Sequence, residues 1–186
     1  RFQAPPFSAT YKTRLAAATE WLRAMVDPLT GEAPNLGAND GARLLPLTDT
    51  PYGDCRPSVQ LASVLFADAV AYQEEDIWDA PLRWLAVPRP QRTLPPRKIQ
   101  SFDDGGYTVL RTPSEDITLL FRYPRFRFRP SHSDALHVDL WKDGVNLLRD
   151  GGSYSYFDLE WLCYFTGVRS HNTAQFDGRE QMPRLG

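Results

Sequence analysis

The spacing of apolar residues changes rhythm once along this chain, near Lys98. Before it, helical spacing dominates. In "YKTRLAAATEWLRAMV", Leu15, Ala18, Leu22, Met25 and Val26 recur at intervals of three and four, which puts them on one face of a helix over Tyr11–Val26. Asp27-Pro28 and then Gly31 stop it. A second helix is expected from Pro57 to about Tyr72, with the proline in the first turn, where its missing N–H costs little. A shorter helical piece follows over Ile77 to Leu85. Between the two main helices lies "APNLGANDGARLLPL", a polar, glycine-rich turn segment of the kind that faces a site more often than a core. The run "AVPRPQRTLPPRK" is rich in proline and reads as an extended linker.

After Lys98 the period is two. "GGYTVLR" is a turn leading into a strand, and "DITLLFRY" is a second strand. "RFRFR" sets Phe126 and Phe128 against Arg125, Arg127 and Arg129, a basic stripe. In "DALHVDLW", Leu136, Val138 and Leu140 alternate with Ala135, His137, Asp139 and Trp141, so His137 is expected on the polar face. Asp143-Gly144 is a strong two-residue hairpin signal, and "VNLLRD" is the returning strand. The reading is an α+β segment of two parts: helices over 1–86, a linker over 87–98, and the start of an antiparallel sandwich or barrel-like sheet over 99–186.

Composition narrows the class without naming it. The 186 residues are 42% hydrophobic and 24% charged, which are globular values. The net charge of −2 gives no reason to expect a nucleic-acid partner. No apolar run is long enough to span a membrane. Two cysteines, Cys55 and Cys163, make neither a disulfide framework nor a metal spacing. Opening on Arg1 and ending on "MPRLG", the chain reads as a segment of a longer protein.

The polar residues around the hairpin carry the chemistry. His132 precedes a strand, Asp150 ends the partner strand, and His171 follows "CYFTGVRS". Together these could converge at one end of a sheet as ligands for a metal such as zinc, which takes three or four donors from His, Cys, Asp or Glu. The plainer reading, ordinary polar side chains of a hairpin, stands beside it. With a strict two-residue turn, the register pairs Asp150 with His137 rather than His132; a bulge or a longer turn changes that.

The string "RPSHSDALHVDL…LLRDGGSYSY…YFTGVRSHNTAQFDGREQ" resembles the heparinase II/III family of polysaccharide lyases. Its three motifs stand here as His132-Ser133-Asp134-Ala135-Leu136, as Leu148 to Tyr156, and as His171-Asn172-Thr173 through Gln181. "PNLGANDGARLLPL" is similar to a loop near the end of that family's helical toroid. The resemblance implies the C-terminal part of an (α/α) toroid followed by an incomplete antiparallel β-sandwich. It implies cleavage of an acidic, uronate-containing polysaccharide by β-elimination, and a structural zinc held by His132, Asp150 and His171. Periplasmic or secreted location is implied in the same way. Candidate catalytic residues are His132, Tyr154 and Tyr156. Candidate substrate contacts are Asn39, Arg129, Arg169 and Asn172, with Asp40 and Arg43 as further cleft residues. One position departs from the pattern: Pro130 stands where many relatives have a histidine that helps catalysis. The alternative is therefore a family member without activity that binds glycan in polysaccharide synthesis or export.

Overall fold

The computed structural model describes residues 7–39, 41–42, 44–125 and 131–182. Four α-helices and five strands appear among them, in two compact units. One unit comprises Arg1–Val26, Gly31–Ala33 and Leu45–Arg97; the other comprises Asp27–Thr30, Pro34–Leu44 and Lys98–Gly186. The glycine-rich segment from Pro34 to Leu44 thus groups with the sheet and not with the helices that flank it in sequence.

In the helical unit, α1 spans Ala9–Met25, capped by Ser8, whose hydroxyl accepts from the Tyr11 N–H at 3.2 Å. Only its C-terminal end, Arg23 to Met25, is buried; Ala18 on the expected apolar face is exposed. Helix α2 spans Arg56–Ala67 and stops five residues before Tyr72, because Asp68 turns left-handed (φ 50°). Beyond it the chain folds back over α2. There Gln60, fully buried, accepts from the N–H groups of Ala71 (2.9 Å) and Tyr72 (3.1 Å) and donates to Asp79 Oδ1 (2.8 Å). A 3₁₀ turn, Ile77–Asp79, leads into α3, Ala80–Trp84. Val64, Val70 and Leu82 close the small core between them.

The proline-rich run is not a free spacer. Val70 donates to Arg92 O (2.8 Å) and accepts from Leu94 N–H (2.8 Å), a parallel bridge that ties the run to the end of α2. The Arg92 guanidinium also bonds the carbonyls of Ala67 and Asp68, which α2 leaves without helical partners.

In the sheet unit, β1 (Gln100–Phe102), β2 (Tyr107–Arg111), β3 (Ile117–Arg122), β4 (Val138–Lys142) and β5 (Val145–Leu148) form one antiparallel sheet in sequence order. Asp143 (φ 50°) and Gly144 (φ 77°) make the tight turn between β4 and β5, both at positive φ as a type I′ turn demands. The "RFRFR" stripe is outside the described residues from Phe126 to Pro130, and so are Asp40 and Arg43.

Register decides which face is core. Val109, Leu120 and Asp139 pair across β2, β3 and β4, and Thr118 pairs with Trp141 one step away; all but Asp139 and Thr118 are apolar, and all five are buried. One step the other way, Tyr107 pairs with Arg122, and the Arg122 N–H bonds His137 O (2.9 Å). The buried face therefore passes from a tryptophan at one end to Tyr107, Arg122 and His137 at the other. The expectation that His137 and Asp139 lie on a solvated face is overturned: both are 0% exposed. The stretch before β4 is not strand either. Ala135 and Leu136 form a turn, with Leu136 at φ 64°, so β4 starts only at Val138. Helix α4, Leu159–Phe165, is an addition to the expected strands and loops; Asp158 caps it by accepting from the Trp161 N–H (3.2 Å).

Candidate metal centre and surface pocket

His132, Asp150 and His171 come together. One ligand atom from each lies within 4.8 Å of the others, and all three residues are buried. His132 Nδ1 is 3.3 Å from His171 Nε2, and His171 Nε2 is 3.7 Å from Asp150 Oδ2. Two donors about 2.05 Å from a tetrahedral ion lie about 3.3 Å apart, so the histidine pair already has the separation such an ion requires.

The His171 and Asp150 side chains are aimed by their neighbours. His171 Nδ1 is 2.7 Å from the Gly167 carbonyl, which can only accept; Nδ1 therefore carries the proton and Nε2 presents a lone pair. Asp150 Oδ1 accepts from the Gly152 N–H at 2.7 Å, while Oδ2 is buried with no hydrogen-bond partner among the described residues. Burial pushes the Asp150 carboxyl above its ordinary value, partly offset by that Gly152 bond and by the nearby histidines. An orphaned carboxylate oxygen facing an imidazole lone pair is what a cation would satisfy, so the residues fit a metal. Two imidazole nitrogens and one carboxylate oxygen suit a transition metal better than magnesium or calcium, which prefer oxygen.

The hairpin register was left open by spacing and is settled by a bulge. Leu140 pairs with Leu148, and the irregularity lies between Leu140 and Trp141. Strand β5 ends at Leu148, and the Asp150 N–H then bonds Asp139 Oδ2 (3.3 Å). His132 comes from the loop before β4, where Asp134 is fully buried against the Arg122 guanidinium. Burial raises the Asp134 carboxyl, and Arg122 opposes that. Gln181 braces the same loop. Its side chain accepts from the Ala135 N–H and donates to the Ala135 carbonyl, both at 2.9 Å.

A surface pocket of about 420 Å³ is lined by Asn35, Asn39, Gly41 and the run Ser153 to Phe157. Ser153 holds the glycine-rich segment: its hydroxyl accepts from the Asn39 N–H (2.8 Å) and donates to the Asn39 carbonyl (2.9 Å). Gly152 sits at φ +67° against the Asn35 amide, where a Cβ has no room. Tyr154 and Tyr156 are exposed here and neither is core. Tyr154 packs on Trp161 and Phe165 of α4, ring centroids 5.8 and 6.4 Å away. Only Gly151 and Gly152 separate Asp150 of the histidine cluster from Ser153 of the pocket.

The remaining candidates divide. Asn39 lines the pocket. Arg169 is exposed in the 3₁₀ turn Val168–Ser170. Asn172 is engaged within the protein, its Nδ2 donating to Arg149 O (3.0 Å) and its carbonyl accepting from the Val138 N–H (3.0 Å). His132 is 2% exposed, which takes it away from bulk solvent. Arg129 is outside the described residues. The sequence reading missed His137, Asp139 and Arg122. Trp141, a large aromatic with the same strand parity as His137 and Asp139, was the available signal that their face is buried.

An antiparallel sheet with a buried two-histidine, one-aspartate cluster at its edge is the class of protein defined here. The profile of the family described as "Heparinase II/III-like, C-terminal" matches residues 94–186, and the chain belongs to that family. The fold is similar to a crystal structure of heparinase III, with a TM-score of 0.63 and 17% identity over 94% of this chain and 28% of that one. It is also similar to a mutant of the heparan sulfate lyase HepC from Pedobacter heparinus, with a TM-score of 0.61 and 14% identity over 94% of this chain and 25% of that one. At these identities the likeness is one of fold, and the chain spans little more than a quarter of those proteins. No curated protein sequence matches it. Among the described residues, no helix is long and apolar enough to cross a membrane.

Proposed function

We propose that this chain is part of a polysaccharide lyase that cleaves an acidic, uronate-containing polymer by β-elimination in the periplasm or outside the cell. The supporting observation is the short tether between the buried cluster and the tyrosine-lined pocket. Asp150 caps the Gly152 N–H, Ser153 clasps Asn39, and Tyr154 and Tyr156 follow at the pocket wall.

In β-elimination a base removes the proton at C5 of the uronate, an acid protonates the departing glycosidic oxygen, and a C4–C5 double bond forms without consuming water. A phenol serves either role when its surroundings tune it. The exposed Tyr154 and Tyr156 are the proton-transfer candidates. Asn35 and Asn39 supply amide donors for a carboxylate or for the charge that develops beside it. Zinc held by His132, Asp150 and His171 would supply a structural clip joining three stretches of chain. His132 would then serve the clip and not the proton transfers.

The full chain, incubated with uronate polymers, is expected to generate unsaturated uronate ends that absorb in the ultraviolet. Tyr154→Phe or Tyr156→Phe should lower the rate by about 10²–10⁴-fold for whichever carries a proton. The second reading, a glycan-binding relative without activity, draws on the burial of His132 and on Pro130 in the first motif. Binding without any unsaturated product would establish it over the lyase.

A further inference from the structure

His137 is the one histidine that motif reasoning set aside, yet it lies inside the cluster. Its ring meets that of His171 edge to face, centroids 5.7 Å apart, and it is fully buried. Its Nε2 faces two carboxylates, 3.7 Å from Asp150 Oδ2 and 3.9 Å from Asp139 Oδ2. By position alone it is a candidate fourth ligand.

The other side of the ring excludes that role. Nδ1 lies 3.1 Å from the backbone N–H of Asn172, which can only donate. Nδ1 must therefore offer a lone pair, and the ring proton sits on Nε2. Ligation through Nε2 would move the proton to Nδ1, directly against another N–H. The contrast with His171 is one of partner type: a carbonyl behind Nδ1 frees Nε2 to bind a metal, whereas an N–H behind Nδ1 makes Nε2 a donor. Asn172 is itself fixed, because its carbonyl accepts from the Val138 N–H (3.0 Å).

Of the two carboxylates, Asp139 Oδ2 already accepts from the Asp150 N–H (3.3 Å). Asp150 Oδ2 and His137 Nε2 have no hydrogen-bond partner among the described residues. A movement of under about 1 Å closes them to a hydrogen bond.

We infer that His137 is a positioning residue: from Nε2 it donates to Asp150 Oδ2, orienting the carboxylate toward the metal without touching the ion. This rests on the metal reading above and adds an outer partner of the kind that tunes a ligand.

Two measurements on the full chain test it. The first is ¹⁵N NMR of the histidine rings with zinc bound, His137 being assigned by its loss in His137→Gln. A protonated Nε2 and a bare Nδ1 on His137 are expected; a proton on Nδ1 overturns the inference. The second is zinc affinity by competition with a chromogenic chelator. His137→Phe, which fills the site but has no N–H, should bind zinc about 10–100-fold more weakly. His137→Gln keeps a donor near the Nε2 position and should stay close to the unmodified chain. Equal affinity in a folded His137→Phe overturns the inference. Should His137→Phe fail to fold, the ring tautomer decides by itself. An unmodified chain that takes up no zinc sinks the metal reading and this inference with it, whereas a zinc-binding chain with a proton on His137 Nδ1, or with undiminished affinity in His137→Phe, sinks the inference alone.

Discussion

Binding of zinc to the folded chain, and not to the unfolded one, must appear as stability. The ligand atoms are already assembled, with a histidine pair 3.3 Å apart and an aspartate oxygen 3.7 Å from one of them. The native site therefore needs little reorganisation, and the unfolded chain has no such site. At free zinc of about 100 times the dissociation constant, linkage contributes about 2.7 kcal/mol. For a chain of this size that is a rise in Tm of roughly 5–11 °C over the chelator-treated protein. His171→Ala should abolish this zinc-dependent increment. It should also lower the metal-free Tm, because the ring's bond to Gly167 O and its packing are lost, at a cost of about 1–3 kcal/mol. The two effects separate when each protein is melted with zinc and with chelator, followed by near-ultraviolet circular dichroism, with elemental analysis alongside. An unmodified chain with the same Tm in both conditions would refute the clip. So would a His171→Ala variant that kept the full increment, since zinc would then sit elsewhere.

Two further outcomes follow from buried polar groups. Tyr72 carries a hydroxyl without a hydrogen-bond partner among the described residues, and burial pushes its pKa from 10.0 up to about 12. A folded value above the unfolded one means that stability is full below pH ~10 and is lost as pH rises toward 12, by about 2 to 3 kcal/mol. Tyr72→Phe should change little at neutral pH and flatten that alkaline loss; urea unfolding at both pH values reads it, and parallel curves for the two proteins would contradict the assignment. Arg122→Met leaves Asp134 buried without its cation and should cost about 3–5 kcal/mol, much of it recovered by adding Asp134→Leu. A single variant within about 1 kcal/mol of the parent in denaturant unfolding would show that the pair is not what holds the loop.

How legible the site was depended on how local its determinants are. The helix over Ala9–Met25 and the Asp143-Gly144 turn follow from neighbouring residues, through spacing and through the φ values that a tight turn requires. His132, Asp150 and His171 were marked by motif. Their convergence was implied by the resemblance, but what builds it, the bulge beside Leu140 and the Gln181 brace across 46 residues, lies outside any short window of sequence. Helix α4 was missed although Asp158 is a recognisable cap, because its aromatic run fits a strand as well as a helix.

What the sequence determined alone is the change from helical to alternating pattern and the identity of the ligand candidates, since both arise within short windows of chain. Only the tertiary structure decided which face of β4 is the inside. Alternation separates two sets of residues but cannot say which set is buried. Polar residues enter a core when distant groups satisfy them: the Asn172 N–H for His137, the Asp150 N–H for Asp139. Those partners, brought in from up to 35 residues away, turn a polar stripe into the wall of a site.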